Sequence, residues 1–167
     1  NALRMSVASA VFAAALVARG LPRVARADWG RLALLGAVGH FVCQVCFMGG
    51  LARTTASNSA LIIGCSPVAV SIASALAGHE RVPRSQWAGV LLSIFGVYLV
   101  VGTGAEFGGS SLAGDLLTLC AVGCWAVYTV GSRPLLSRYS PLAVTGITML
   151  AGTALYVPAS YPQLAQV

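Results

Sequence analysis

The chain is partitioned into apolar runs of 17 to 23 residues, each closed by a short polar turn. That length matches the roughly 20 residues an α-helix needs to cross a hydrocarbon layer about 30 Å thick. Composition agrees: 57% of the 167 residues are hydrophobic and 8% are charged, whereas a soluble domain carries about 25% charged residues. The fold class is therefore all-α, a polytopic membrane helix bundle in contact with the lipid bilayer, and no soluble domain fits between the spans.

Six membrane helices are predicted, at 2–18, 29–51, 56–78, 85–102, 112–132 and 141–158. Asp28 is placed to cap the second, Pro83 fits the first turn of the fourth, and Ser140-Pro141 supplies the sixth with a cap and a proline at its first position. Gly20 with Pro22, and Gly102 with Gly104, mark stops. The chain starts at Asn1 and ends at Val167 just after a helix, so it is expected to be an internal part of a longer protein.

The net charge of +6 comes from ten arginines against four acids. Such a balance would point to nucleic acid if the arginines formed one patch. They are sorted by turn instead, and no nucleic-acid partner is expected. Arg19, Arg23, Arg26 and Arg31 follow the first helix, Arg81 and Arg84 the third, Arg133 and Arg138 the fifth; only Arg4 and Arg53 lie on the other side. Arginine-rich short loops stay cytoplasmic, so the first helix is expected to run inward, with Trp29, Trp87 and Tyr139 at the inner interface. The arginines then serve topology and anchoring.

The glycine- and serine-rich stretch from Gly102 to Gly114 reads as an outer hinge between halves, giving a first repeat at 1–104, a linker at 105–111 and the start of a second repeat at 112–167. Beyond the hinge, "PLAVTGITMLAGTALYV" resembles "NALRMSVASAVFAAALV", with Ala143, Ala151 and Ala154 matching Ala2, Ala10 and Ala13. Carrying that match backward pairs 112–132 with a helix ahead of Asn1 and makes each full unit five helices. An odd count inverts one unit relative to the other, an arrangement common in transporters.

Several stretches carry a resemblance to a known family: "LRMSVASAV", "ADWGRLALLG", "TASNSALIIGCSPV", "GHERVPRSQWAGVLLSIFGVYLVV" and "GDLLTLCAVGCWAVYTVGSR" followed by "YSPL". In order and spacing they resemble the EamA-type family of the drug/metabolite transporter superfamily. The resemblance implies ten helices in two inverted five-helix repeats, of which this chain is similar to helices two to seven. It departs from the family pattern at Pro83, where a threonine often caps the helix, and at Asn58-Ser59, a more polar pair than the usual small apolar residues.

Candidate substrate-binding residues follow from depth. His40 lies eleven residues from both Trp29 and Leu51, near the bilayer midplane at about 1.5 Å per residue. Gln44 follows at i+4 on the same face, with Phe47 beyond it. Polar groups at that depth face a wet cavity or another helix's polar group, so the alternative is a hydrogen bond that joins helices. On the next helix Ser59 and Ser66 share a face, and Pro67 cannot donate to the carbonyl of Ile63, leaving it in need of a partner. Asn58 is a candidate lining residue or a cap. Trp125 and Tyr128 are three apart and fit the family's "WA" and following aromatic, as an aromatic wall or as core packing. Gly89, Ser93 and Gly96 read as a close helix contact.

No acid reaches the midplane; Asp28, Glu80, Glu106 and Asp115 all fall at helix ends or in loops. If transport is coupled to protons, His40 is the one obvious buried titrating group visible; otherwise coupling belongs to helices outside this stretch, or the protein is an exchanger using a counter-substrate or a facilitator. The five cysteines, Cys43, Cys46, Cys65, Cys120 and Cys124, sit in apolar runs and read as small fillers, with neither disulfides nor a metal expected. No cofactor and no catalytic residue are expected. The leading expectation is a secondary transporter in a bacterial inner membrane, exporting small metabolites or amino-acid-like compounds by alternating access. The alternatives are a non-transporting helical scaffold or degenerate fragment and, further off, a membrane enzyme with His40 as acid/base and a cysteine nucleophile.

Overall fold

A computed structural model describes residues 2–20, 22–78, 87–89, 91, 92, 95 and 112–164. Its helices are α1 (Ala2–Ala18), α2 (Arg26–Gly36), a π-helical stretch (Ala37–Val42), α3 (Cys43–Leu51), α4 (Ala56–Gly64), α5 (Ser66–Leu76), α6 (Leu112–Leu136) and α7 (Pro141–Leu164). Among the described residues there is no β-strand. Four stretches are long and apolar enough to cross a membrane: Arg26–Leu51, Ala56–Leu76, Leu112–Leu136 and Pro141–Ala159; α1 is apolar and 17 residues long. The fold is an all-α membrane helix bundle.

The predicted helix bounds need four adjustments, one of them the break in the third helix described below. The second span starts at Arg26, so Asp28 is its third residue and not its cap; Ala25 holds the cap position with extended backbone. The fifth span runs on to Leu136 and the sixth to Leu164. Pro158 does not stop the latter, because a proline within a helix removes one hydrogen bond and bends the rod without having to end it. Ser140 does cap α7, its Oγ accepting from Ala143 N at 3.3 Å. The predicted helix at 85–102 with Ser93 and Gly96, Pro83, and the linker at 105–111 lie outside the described residues, apart from 87–89, 91, 92 and 95, which are helical. Gly89 has nothing packed on it among the described residues.

The chain divides into two compact units, Asn1–Val42 with Gly131–Val167, and Cys43–Val130. Each draws on both of the sequence segments separated by the glycine-rich stretch.

In the first unit α1, α2 and the π stretch all pack on α7. The outer face is apolar, as for a helix in lipid: α1 buries Met5, Ser9 and Leu16 while Leu3, Val7, Val11 and Val17 are exposed. Lipid tails are as apolar as leucine, so helices in a bilayer join where small residues allow close approach or hydroxyls can bond. Ser9 Oγ and Thr153 Oγ1 are 2.6 Å apart in the α1–α7 contact, and Gly146 leaves room for Leu16 and Phe12. Those pairs, 9 with 153 and 16 with 146, run in opposite numerical directions, so the two helices are antiparallel. Gly36 and Gly152 put α2 and α7 backbone against backbone: a Cβ on Gly36 would meet Thr148 O and Ala151 Cβ, and one on Gly152 would meet His40 Cβ and Gly36 O. At the arginine-bearing end, the buried Asp28 carboxylate accepts from Tyr139 Oη at 2.8 Å and faces Arg138 Nη1 at 3.6 Å. Tyr139 Oη in turn accepts from Ala25 N at 3.2 Å. This buried carboxylate fastens the turn before α7 to the start of α2.

In the second unit α3 and α6 meet at a similar bare contact. A Cβ on Gly50 would strike Thr118 Oγ1 and Gly114 O, and one on Gly114 would strike the backbone of Arg53 and Thr54. Thr54 Oγ1 donates to Asp115 Oδ1 at 2.5 Å, joining the α3–α4 turn to the first turn of α6. The third predicted helix is interrupted at Cys65 into α4 and α5. Pro67 lacks an N–H, and the carbonyl of Ile63 accepts from a backbone N–H at the α4 C-cap and from Ser66 Oγ. The kink therefore satisfies itself within the chain.

Candidate functional site

The kink and the α3–α6 contact frame a cavity of about 190 Å³ in the second unit. Cys43, Gln44 and Phe47 of α3 form one wall, Ile63 and Ser66 at the α4–α5 break form the base, and Ala121, Val122 and Trp125 of α6 form the opposite wall. The spacing explains the membership: residues 43, 44 and 47, like 121, 122 and 125, recur at i, i+1 and i+4, the pattern of one helix face. At about 30 Å³ per water, the space equals that of about six waters, the scale of a small metabolite.

Polarity in this cavity is concentrated at few atoms. Gln44 Nε2 is buried and has no hydrogen-bond partner among the described residues. An amide left unpaired in an apolar setting costs roughly 1–3 kcal/mol, so this donor favours any ligand that brings an acceptor. The Ser66 hydroxyl donates its proton to Ile63 O, which leaves its oxygen lone pairs as acceptors toward the cavity. Trp125 is 43% exposed and its ring lies 5.4 Å, centroid to centroid, from the ring of Tyr128, tilted by 36°. Among the described residues no acidic or basic side chain lines the cavity.

Of the seven residues picked from sequence, Gln44, Ser66 and Trp125 come together here. Tyr128 is buried at 8% exposure and supports the Trp125 ring from behind. Asn58 is not the helix cap: Thr55 is, its Oγ1 accepting from Asn58 N at 3.2 Å. The Asn58 Oδ1 and Ser59 Oγ atoms are buried with no hydrogen-bond partner among the described residues, and neither residue lines the cavity. The seven-residue spacing that would align Ser59 with Ser66 is broken by the Cys65 interruption.

His40 belongs to the first unit, where its Nε2 lies 3.5 Å from Thr148 Oγ1 and its Cβ backs onto Gly152. It does not line the cavity that Gln44 lines. Regular α-helical geometry would stack the two one turn apart. His40 lies in the π-helical stretch Ala37–Val42, which ends before Gln44. The cavity residues that sequence reasoning did not single out are apolar: Ile63, Ala121 and Val122. Such residues carry no signal that separates a cavity wall from a lipid face.

Among the described residues no three of His, Cys, Asp and Glu converge as a metal site would require.

Comparison with known proteins supplies the class. The model of the EamA-like transporter family matches residues 1–102 and again 112–165. The chain is 33% identical over 142 residues to an uncharacterized transporter of Archaeoglobus fulgidus, covering 84% of this chain and 48% of that one. It is 31% identical over 155 residues to a probable terminal-alkyne amino-acid exporter of Streptantibioticus cattleyicolor, covering 93% of this chain and 52% of that one. Over 122 residues it is 31% identical to the uncharacterized transporter YyaM of Bacillus subtilis, covering 71% and 40%. The chain thus spans about half the length of the curated relatives it matches. No solved structure matches it at a significant level. Apolar spans crossing at bare glycines and a family model matched twice over most of the sequence lead to one assignment: this chain belongs to the EamA-like transporter family.

Proposed function

We propose that the chain forms part of a secondary transporter of a bacterial inner membrane that exports small metabolites or amino-acid-like compounds by alternating access. The observation that carries this reading is the Gln44 Nε2 group, buried without a hydrogen-bond partner among the described residues, in a small cavity walled by membrane helices whose described lining holds no acidic or basic side chain. A carboxylate or carbonyl would pair with Gln44 Nε2, and an ammonium would rest against the electron-rich face of Trp125, an attraction worth about 0.5–2 kcal/mol. A zwitterion of amino-acid size uses both. The exporter relative from Streptantibioticus supports the same substrate class.

Two further observations support the rocking mechanism. The same family model matches both halves of the chain. The helices of matching sequence, α1 and α7, pair antiparallel through Ser9 and Thr153, the geometry that inverted repeats produce about a shared two-fold axis. In this reading Gln44, Ser66 and Trp125 contact substrate, Asn58, Ser59 and Tyr128 shape the helices behind them, and His40 acts through its contact with α7 or as a proton carrier.

The test is flux of zwitterionic amino acids from proteoliposomes of the full-length protein, with Gln44→Leu and Trp125→Leu beside the wild type. Both variants are expected to lose at least tenfold in flux. Unchanged flux in both removes this cavity from the pathway. A substrate gradient that drives flux without a pH jump assigns counter-exchange, while acceleration by an opposing proton gradient that His40→Gln abolishes assigns proton coupling.

A further inference from the structure

Four of the five cysteines gather where α3 faces α6. Cys43 Sγ donates to Ala121 O at 3.4 Å, and Cys46 Sγ lies 3.7 Å from Cys120 Sγ, with Cys124 one turn further along α6. All are reduced thiols. The remaining one, Cys65, does what a filler thiol in a helix does, donating to the carbonyl of Leu61 on its own helix at 3.5 Å. Cys46 and Cys120 point across to each other instead.

We infer that Cys46 and Cys120 are an oxidation site whose disulfide staples the two walls of the cavity together. The backbones are already held close by the bare contact one turn away, where Gly50 meets Gly114 and Thr118 and Gly49 meets Leu117. Joining the sulfurs at the usual 2.03–2.05 Å closes a gap that is now 3.7 Å. Cys120 is on the outside of the unit and Cys46 is half-buried. Cys46 is five residues from the end of α3 at Leu51, about 7.5 Å along the helix. A hydroperoxide that partitions into the bilayer reaches such a position. Cys46 and Cys120 are the sulfur pair that meets across the two helices, and Cys124 also interacts with Cys120 along α6.

The chemistry balances with one hydroperoxide as oxidant. The Cys46 sulfur attacks the terminal oxygen of ROOH, the O–O bond breaks, and the departing alkoxide takes the thiol proton to become ROH. The Cys120 sulfur then attacks the resulting sulfenic sulfur, the S–O bond breaks, and hydroxide leaves with the Cys120 proton as water. Two thiols are oxidised by two electrons, and one hydroperoxide is reduced. Thiol reductant reverses the bond by exchange.

Because Cys43, Gln44 and Phe47 sit on α3 and Ala121, Val122 and Trp125 on α6, the staple fixes the width of the cavity. Its effect on flux rests on the transport reading above; the cross-link does not. The experiment treats full-length protein in proteoliposomes with tert-butyl hydroperoxide, blocks remaining thiols with N-ethylmaleimide, and reads both peptide masses and flux. The expected result is a peptide pair linked Cys46 to Cys120, present in wild type and Cys65→Ser, lost in Cys46→Ser and Cys120→Ser. Flux falls at least tenfold on oxidation, returns with a membrane-permeant phosphine, and is insensitive to the oxidant in Cys46→Ser. Alkylation of both Cys46 and Cys120 after oxidation, or linkage of either to a different cysteine, overturns the site. A Cys46–Cys120 bond that leaves flux unchanged overturns the staple. Absence of flux before any oxidant is added overturns the transport reading, and the peptide masses still decide the oxidation site.

Discussion

Replacing Gly36 with alanine tests the idea that bare backbone contact holds α2 to α7. The new Cβ would lie on Thr148 O, 2.9 Å from Ala151 Cβ and 3.1 Å from Thr148 C. Carbon atoms in good contact sit about 3.5–4.0 Å apart, so the helices must part by roughly half an ångström or more. None of the obstructing atoms is the free end of a side chain, and rotation relieves nothing. Overpacking of this kind costs about 1–3 kcal/mol, a factor of roughly 5 to 150 in the folded-to-unfolded ratio. Gly30 lies on the same helix with nothing within 4 Å of its would-be Cβ, which makes Gly30→Ala the reference. Both substitutions gain the same helix propensity, about 0.8–1 kcal/mol, and that gain cancels in the comparison. Equilibrium unfolding in mixed micelles, followed by far-ultraviolet dichroism, should place Gly36→Ala about 1–3 kcal/mol below Gly30→Ala. Equal stability of the two variants would falsify the backbone-contact account of the first unit.

Other perturbations follow the same logic. Ser9→Ala strands the Thr153 hydroxyl, whose 2.6 Å partner it removes, and should cost about 0.6–2 kcal/mol by unfolding in micelles, with Thr153→Val in the same chain recovering most of it. Gln44→Leu removes a buried unpaired amide and should raise stability by about 1–3 kcal/mol while flux falls; a variant that loses stability would mean the amide is satisfied in the folded protein. Ser66→Ala removes the hydroxyl that meets the Ile63 carbonyl beside a backbone N–H, and the expected loss of about 0.5–1.5 kcal/mol should be restored by Ser66→Thr. Tyr139→Phe removes the hydroxyl that joins Ala25 N to the Asp28 carboxylate; thermal unfolding should shift down by a few degrees, and a shift no larger than that of an exposed control such as Ser137→Ala would refute the fastening role.

The helix class and the family were legible because each rests on local pattern. Runs of membrane-spanning length need no partner to be recognised, and the segments matched by the family model repeat in order along the chain. Ser140 as the cap of α7 is also local, since its hydroxyl serves an amide three residues away. Asp28 was misread as a cap because a carboxylate near a helix start fits that role in one dimension; its partners, Tyr139 and Arg138, are more than a hundred residues distant. The free carbonyl at Ile63 was foreseen, yet it is met locally, by a backbone N–H at the α4 C-cap and by the neighbouring Ser66.

What the amino-acid order determined alone was that these segments must be helices in lipid, because an apolar run of that length satisfies its backbone only by coiling on itself. Which helices meet, and where, was decided in three dimensions. In a bilayer apolar faces look alike to lipid and to protein, so hydrophobic pattern cannot say that Gly36 lies against Thr148 or Gly50 against Gly114. The π-helical stretch at Ala37–Val42 is a further such decision, since no pattern in those residues announces it; His40 within it lies beside Thr148 and Gly152 of α7, while Gln44 lines the cavity.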